Sequence, residues 1–479
     1  MLHKQCGVVA IVITLAMLSE NLPLWAQTPL ETKEGDQQRA LEFAAAMSAH
    51  HLCAGLWVVG RSHPRSAELV IAEDMAPFPQ LGWQKSFEYQ VDHEQHTATV
   101  VAPHTLPRSA RYTGDQGCVI LPAGDTDVQF TPVTLLRATP DPATYDWPMG
   151  DRYAHGTFTE VHQATVEAAL DWGMDQPQNT RAIVALYNGR IIGERYASGF
   201  TKDTPQLSWS EGKSLTATLI GLLVQQGHLS IEGPAPVAAW QHDDDPRRTI
   251  RLKDLLQMSS GLDFTNLGLT GPTAFSEANE HMRVYFDGLD IFAHVLNQPA
   301  GLQPGTQWRY RNSDPLTLGW IIKETVEAAG EEYLRFPQRA LFDRIGAHSP
   351  VLETDPYGHF ILSGYDYLSA RDWARFGLLY LWEGVWLGEQ LLPLNWTEFV
   401  STPAPGDGGN DYGGLFWLNR GGALDRVPAD AYWASGLMGQ TTMIIPSRDV
   451  VIVRLGPSPG NTRPYLNGLV GRLLAAINQ

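Results

Sequence analysis

Apolar residues are spread unevenly along the chain. The first dense run, GVVAIVITLAML (7–18), follows His3 and Lys4 and leads into PLWAQ. Leu24 and Ala26 stand at −3 and −1 of a cleavage site, so the pattern predicts a secretory signal over 1–26. The run is short for a bilayer span; an uncleaved anchor is the other reading. No later stretch reads as a spanning segment. Residues 27–39 are polar. In RALEFAAAMSAHHLC (39–53), Leu41, Phe43, Ala44 and Met47 recur with helical spacing. FEYQVDHEQHTATVVAP (87–103) alternates and reads as strands. Pro140, Pro142 and Pro148 mark a linker near residue 150.

A second, longer pattern follows. TRAIVALYNGRIIGERYASGF (180–200) predicts a hairpin turning at Asn188-Gly189, a pair suited to a type I′ turn. TTMIIPSRDVVIVRLG (441–456) predicts another hairpin, and LNGLVGRLLAAIN (466–478) a closing helix. Helical periodicity fills the interval, notably over 210–226, 251–258, 315–330 and 370–382. Strands from both ends of this module can form one antiparallel sheet with a helical lobe inserted, an α+β arrangement. The layout predicts an accessory α+β region over 27–150 and a larger module over 160–479.

Composition narrows the function classes. The chain has 479 residues, 43% hydrophobic and 18% charged, with a net charge of −18. That is ample core material for two or three domains. A nucleic-acid groove needs clustered Lys and Arg, which this acidic chain lacks. Of three cysteines, Cys6 leaves with the signal. Cys53 and Cys118 then form an even pair in an exported chain, which predicts a disulfide; two buried free thiols are the alternative. Export places the protein in the periplasm or outside the cell.

The candidate chemistry starts at WSEGKSLTATLIGLLVQQG (209–227). Ser210 and Lys213 are three residues apart, on one face of a helix turn. A serine hydroxyl attacks only when a neighbour takes its proton. Lysine does this as the neutral amine, and bringing its pKa from about 10.4 to near 7 takes about 4 kcal/mol. A helix N-terminus supplies about 0.3–1 kcal/mol, so burial must supply the rest. The competing reading is a Ser N-cap followed by a solvated Lys. Tyr310 and Asn312 in GTQWRYRNSDPLTLGW (305–320) offer a proton shuttle and a carbonyl binder. Tyr465-Leu466-Asn467 repeats the spacing but enters the closing helix. In YWASGLMGQTTMII (432–445), Gly436 and Gly439 allow close backbone approach, with the Gln440 N–H as an oxyanion donor.

Together these elements resemble the serine β-lactamase and penicillin-binding-protein superfamily. The likeness is to class C β-lactamase-like serine hydrolases of the esterase and 6-aminohexanoate-dimer hydrolase type, over roughly 160–479. IRLKDLLQMSSGL (250–262), LSARDWARFGLLYL (368–381) and ASGLMGQ (434–440) support it. The resemblance implies a β-lactamase-like fold with Ser210 as acylated nucleophile and Lys213 as its base. Tyr310 would protonate the leaving group, and Asn312 would hold the substrate amide or bond Lys213. Backbone N–H groups of Ser210 and Gln440 would form the oxyanion hole. It implies no metal and no cofactor; His93 and His96 lack a zincin pattern, and strand alternation would face them apart. Trp209, Arg311, Tyr412, Trp417, Trp433, Leu437 and Gly439 would surround the acyl group.

One departure bears on substrate. Leu437-Met438-Gly439 stands where β-lactamases carry Lys-Thr-Gly. Leu437 favours a neutral acyl group, so the expected reaction is hydrolysis of a small-molecule or short-peptide ester or amide, with poor or no β-lactamase activity. A D-Ala-D-Ala carboxypeptidase and a non-catalytic binding protein of the same fold are the alternatives.

Overall fold

The computed structural model describes residues 34–75, 86–153, 159–265, 280–406 and 408–477. The expected signal over 1–26 lies outside them.

The accessory region begins with α1 (Glu34–Trp57), longer at both ends than the apolar spacing predicts. Arg39 pairs with Glu42 one turn on, at 3.0 Å, and extends the helix into its polar beginning. A short α2 (Ala67–Val70) follows, then β1 (Glu88–Asp92), β2 (Thr97–Val101), β3 (Arg108–Tyr112) and β4 (Cys118–Ile120) in one antiparallel sheet of that order. The stretch Gln38–Arg61 is long and apolar enough to cross a membrane, which corrects the sequence reading; 94% of its apolar window is buried inside the protein. That burial is two-sided, against the accessory sheet and against α6 (Glu280–Phe286) of the larger module. Cys53 on α1 and Cys118 on β4 are joined as a disulfide, with Cα atoms 6.0 Å apart. His93 and His96 are not strand residues as expected. Both lie in the β1–β2 turn, their rings 6.0 and 5.4 Å from that of Trp57.

The proline-rich segment up to residue 153 holds no helix or ladder strand. It is nevertheless anchored: buried Arg375 donates to Pro148 O at 2.7 Å and Gly150 O at 2.8 Å.

The larger module closes on itself. His162 N donates to Ala476 O at 2.8 Å, and Val161 bridges Ile477. Its elements run α3 (Gln163–Asp175), β5 (Ala182–Tyr187), β6 (Arg190–Tyr196), β7 (Gln206–Leu207) and α4 (Gly212–Gln225). The helical lobe adds α5 (Leu252–Leu256), α6 (Glu280–Phe286), α7 (Ile291–Leu296), α8 (Ser313–Ala328) and α9 (Asp343–Ile345). Then come β8 (Val351–Leu352), β9 (Asp366–Leu368), α10 (Ala370–Leu381), the small hairpin β10 (Val385–Trp386) and β11 (Glu389–Gln390), and α11 (Trp396–Val400). The chain ends with β12 (Trp417–Leu418), β13 (Tyr432–Gly436), β14 (Gln440–Ile445), β15 (Val450–Leu455) and α12 (Arg463–Ala475).

The six-stranded sheet has the order β12-β13-β14-β15-β5-β6, antiparallel throughout, so both ends of the module do build it. Asn188 (φ 49°) and Gly189 (φ 72°) are both left-handed, as a type I′ turn requires. Alternate side chains go to opposite faces. Ile183, Ala185, Trp433, Met443 and Ile452 pack against α3 and α12. Val184, Leu186, Ala434, Ile444, Val451 and Val453 lie on the other face, which α10 covers. The apolar interior on that side is continuous with the buried residues of α1 and the accessory sheet. A small sheet, β7-β9-β8, holds the approach to Ser210.

Candidate active site

Ser210 lies in a 3₁₀ turn, Trp209–Glu211, that runs directly into α4. Its hydroxyl makes no helix-capping hydrogen bond, so the N-cap reading does not describe it. Trp209 takes a left-handed φ of 51°, unusual for a bulky residue. That kink turns the chain at the serine, which is half-buried and reachable.

Lys213 is 1% exposed, on the first turn of α4. Its Nζ is 2.9 Å from Ser210 Oγ and 2.6 Å from the Ser363 carbonyl oxygen. Burial lowers its pKa to about 7, against the pull of Asp366. Near neutral pH a substantial fraction is therefore neutral amine, able to accept a proton.

Tyr310 stands over this pair. The Lys213 Nζ is 5.0 Å from its ring centroid. Burial pushes the phenol above its ordinary range while Ser210 pulls it back. Tyr412 and Trp417 back the ring, at 5.9 and 5.6 Å between centroids. Asn312 is fully buried, and its Nδ2 is 2.8 Å from His281 Nδ1. No hydrogen bond joins it to Lys213; its amide oxygen has no partner among the described residues.

The third element meets the serine edge-on. β12 covers only Tyr432 and Trp433 of β13, so the strand's far end runs as an edge beside Ser208. Ser435, Gly436 and Leu437 are partly exposed there. Gln440 pairs across the hairpin from Gly436, one strand further in. Its amide is committed to Leu437 O at 3.2 Å and to Gly456, whose N–H donates to Oε1 at 2.8 Å and whose carbonyl accepts at 3.0 Å. The partly exposed edge position thus belongs to Gly436-Leu437, with Gln440 buried one strand further in.

Four further expectations are corrected. Arg311 is 0% exposed and donates to the carbonyls of Arg309, at 3.2 Å, and Leu262. With Asp314 at 3.9 Å it braces the entry to α8 instead of facing substrate. Trp433 points to the α3/α12 face, because its register partner Met443 does. Gly439 is left-handed (φ 85°), and a β-carbon there would meet Thr462 at 2.7 Å, so it serves the turn. Trp209 turns toward the accessory region, with the His51 ring at 5.7 Å and Tyr365 at 5.8 Å. The decoy Tyr465 bonds Thr180 and Gly173 O on the far side of the sheet.

Tyr285, Ser363 and Asp366 escaped the sequence reading. Tyr285 Oη donates to Ser363 O at 2.9 Å, the carbonyl that also holds Lys213. The signal for Asp366 is a lone acid between aromatics in SGYDYL. Elsewhere, Asp290, Asp355 and His359 bring their ligand-type atoms within 4.8 Å of one another. Asp355 is already held by the N–H groups of Ile291, Tyr357 and His359, and Asp290 by Ala293. Although burial alone would lower it, the two acids raise His359 to about 9, so the cluster is an ion pair with its own cation.

Comparison with known proteins agrees with this architecture. The Beta-lactamase family model matches residues 166–475. A 6-aminohexanoate-dimer hydrolase of Paenarthrobacter ureafaciens is 22% identical over 315 residues, 63% of this chain and 78% of that protein. A lovastatin esterase of Penicillium rubens is 26% identical over 194 residues, 40% of this chain and 45% of that one. A solved structure from Bacillus anthracis, assigned as a candidate 6-aminohexanoate-dimer hydrolase, has a TM-score of 0.56 at 21% identity, covering 72% of this chain and 92% of its own. The chain belongs to the Beta-lactamase family.

Proposed function

We propose that the protein is a serine hydrolase that works through an acyl-enzyme on an ester or amide. One observation carries this reading: a buried, readily neutral Lys213 amine lies 2.9 Å from the reachable Ser210 hydroxyl. As Ser210 Oγ bonds to the substrate carbonyl carbon, its proton passes to Lys213. The oxyanion is held by the N–H groups of Ser210 and Leu437. Tyr310, over both groups, relays the proton to the leaving alcohol or amine. The same phenol then activates water for deacylation. Asn312 orients the acyl side.

The segment Tyr432–Gln440 contains no lysine or arginine. A substrate carboxylate has no cation to meet along that edge, which favours a neutral acyl group and poor or no β-lactamase activity. The apolar run over 7–18 and the disulfide support an exported enzyme, periplasmic or secreted.

A fluorophosphonate probe tests the nucleophile. Labelling of wild type that is lost in Ser210→Ala is the expected result; folded wild type that resists the probe overturns it. Aryl esters, linear amides, nitrocefin and D-Ala-D-Ala peptides then rank the acyl groups. Turnover of nitrocefin at 10⁴ M⁻¹s⁻¹ or above, the level of a good enzyme, overturns the substrate assignment. A preference for D-Ala-D-Ala peptides replaces it with a carboxypeptidase.

A further inference from the structure

Trp209, the residue before Ser210, holds a left-handed backbone with φ 51°. A bulky residue disfavours that conformation, which persists only where the surroundings fix it. Here the fixing groups are aromatic rings packed on the Trp209 indole, itself buried. The ring of Tyr365, just before β9, lies 5.8 Å from it, and Tyr285 of α6 meets it edge-on at 6.4 Å. The third ring, at 5.7 Å, is His51 of the accessory helix α1. His51 is buried, and its Nδ1 donates to Met47 O at 2.9 Å, which ties the imidazole to its own helix.

The same rings reach the partner of Ser210. Tyr285 Oη donates to Ser363 O at 2.9 Å, the carbonyl that accepts from Lys213 Nζ at 2.6 Å. A β-carbon on Gly364 would lie 2.6 Å from Tyr285 Oη and 3.3 Å from the Trp209 carbonyl carbon, so the segment 363–365 packs on the backbone that enters Ser210. Tyr365 in turn stacks on His50 of α1, with 4.0 Å between centroids and 14° between planes. His50 is anchored by one oxygen of Glu353 at 2.5 Å, and the other accepts from Cys118 N at 2.7 Å. Cys118 is bonded to Cys53, one turn along α1 from His50. Packing around the indole is incomplete: a cavity of about 50 Å³ is lined by His51, Gln206, Trp209 and Met438, among others. Without the His51 ring the indole gains room to swing.

We propose that His51 is a positioning residue for the nucleophile: by packing on the Trp209 indole, the accessory helix holds the left-handed backbone that keeps Ser210 Oγ within reach of Lys213. The leading region is then part of the catalytic apparatus, although none of its residues meets substrate. His51 acts through the shape of a flat ring, and no proton passes through it. The inference rests on Ser210 being the nucleophile.

The test is His51→Ala in the full chain, followed by kcat and KM on an aryl ester and by the rate of fluorophosphonate labelling. A small displacement of a reacting group costs up to about 10²-fold, so kcat and the labelling rate should fall together by about 10–10²-fold, with KM within about twofold. His51→Phe, which keeps a flat ring at that place, should return kcat to within about threefold of wild type. A folded alanine variant with kcat within threefold of wild type overturns the proposal, even if its urea midpoint is lower, because packing alone would do that. A Phe variant as slow as the alanine variant overturns it too. Where the alanine variant does not fold, His51→Leu fills the same space without a flat ring and takes its place, with the same outcomes. Failure of the underlying reading is distinct: labelling that survives Ser210→Ala removes the nucleophile whatever the His51 variants do.

Discussion

Gly436 and Ser208 approach so closely that a β-carbon on the glycine would lie 1.9 Å from the serine's carbonyl oxygen. The edge of β13 is pressed onto the segment that leads into Ser210, and any side chain at 436 pushes the two apart. Gly436→Ala is therefore expected to lower kcat/KM by about 10²–10³-fold, the usual loss for one oxyanion donor, while circular dichroism stays native. An alanine variant within threefold of wild type would refute the assignment of this edge.

Lys213 sets a pH dependence whose sign is fixed. Its pKa is lowered to about 7, so the amine is protonated below that value and free above it. Activity of wild type should rise with pH through about 7. Lys213→Ala should lose activity on the order of 10³-fold, within the range for one general base, and should lose that limb of the profile. Rates on a neutral aryl ester over pH 5–9 provide the check.

Arg311 and Trp433 should separate structure from binding. Removing the buried Arg311 guanidinium takes the cation away from buried Asp314, which keeps only the Ser260 and Ser313 hydroxyls, so Arg311→Met should destabilise the fold by about 3–5 kcal/mol. Trp433→Phe keeps an aromatic on the α3/α12 face and should leave KM within twofold. A tenfold rise in KM for Trp433→Phe with stability intact would return that residue to the acyl pocket.

The Cys53–Cys118 bond closes a loop with a sequence separation of 65 residues. In the chain-entropy account that contributes about 4 kcal/mol. The double variant Cys53→Ser, Cys118→Ser should unfold at clearly lower urea than wild type, and dithiothreitol should lower the wild-type midpoint toward it. Equal midpoints would show that the bond adds nothing.

How much of this was legible follows from the range over which each interaction acts. Ser210 and Lys213 lie on one helix turn, so i,i+3 spacing was enough to pair them. The Asn188-Gly189 turn needs only two positive φ angles, which those residue types announce. Trp433 could not be placed, because its face depends on which residue of β14 it opposes. Gly439 and Gly436 look alike in sequence; only the packing against Thr462 or Ser208 tells a turn glycine from an approach glycine. Ser363 meets Lys213 across 150 residues of sequence, and Tyr285 meets the same carbonyl from α6; no local pattern carries that information. The accessory region was read as a separate unit because a polar, proline-rich stretch follows it, yet apolar burial runs straight across that boundary.

That continuity has a consequence for how such a protein changes over evolutionary time. His51 packs on the indole next to Ser210, and His50 grips Glu353 just after β8. The leading segment is thus a fitted cover, not cargo on a tether. It cannot be shed, swapped or trimmed by recombination at the prolines without laying bare Trp209, Tyr365 and a carboxyl that water would then ionise. Descendants of this chain should inherit the two parts as one piece or not at all.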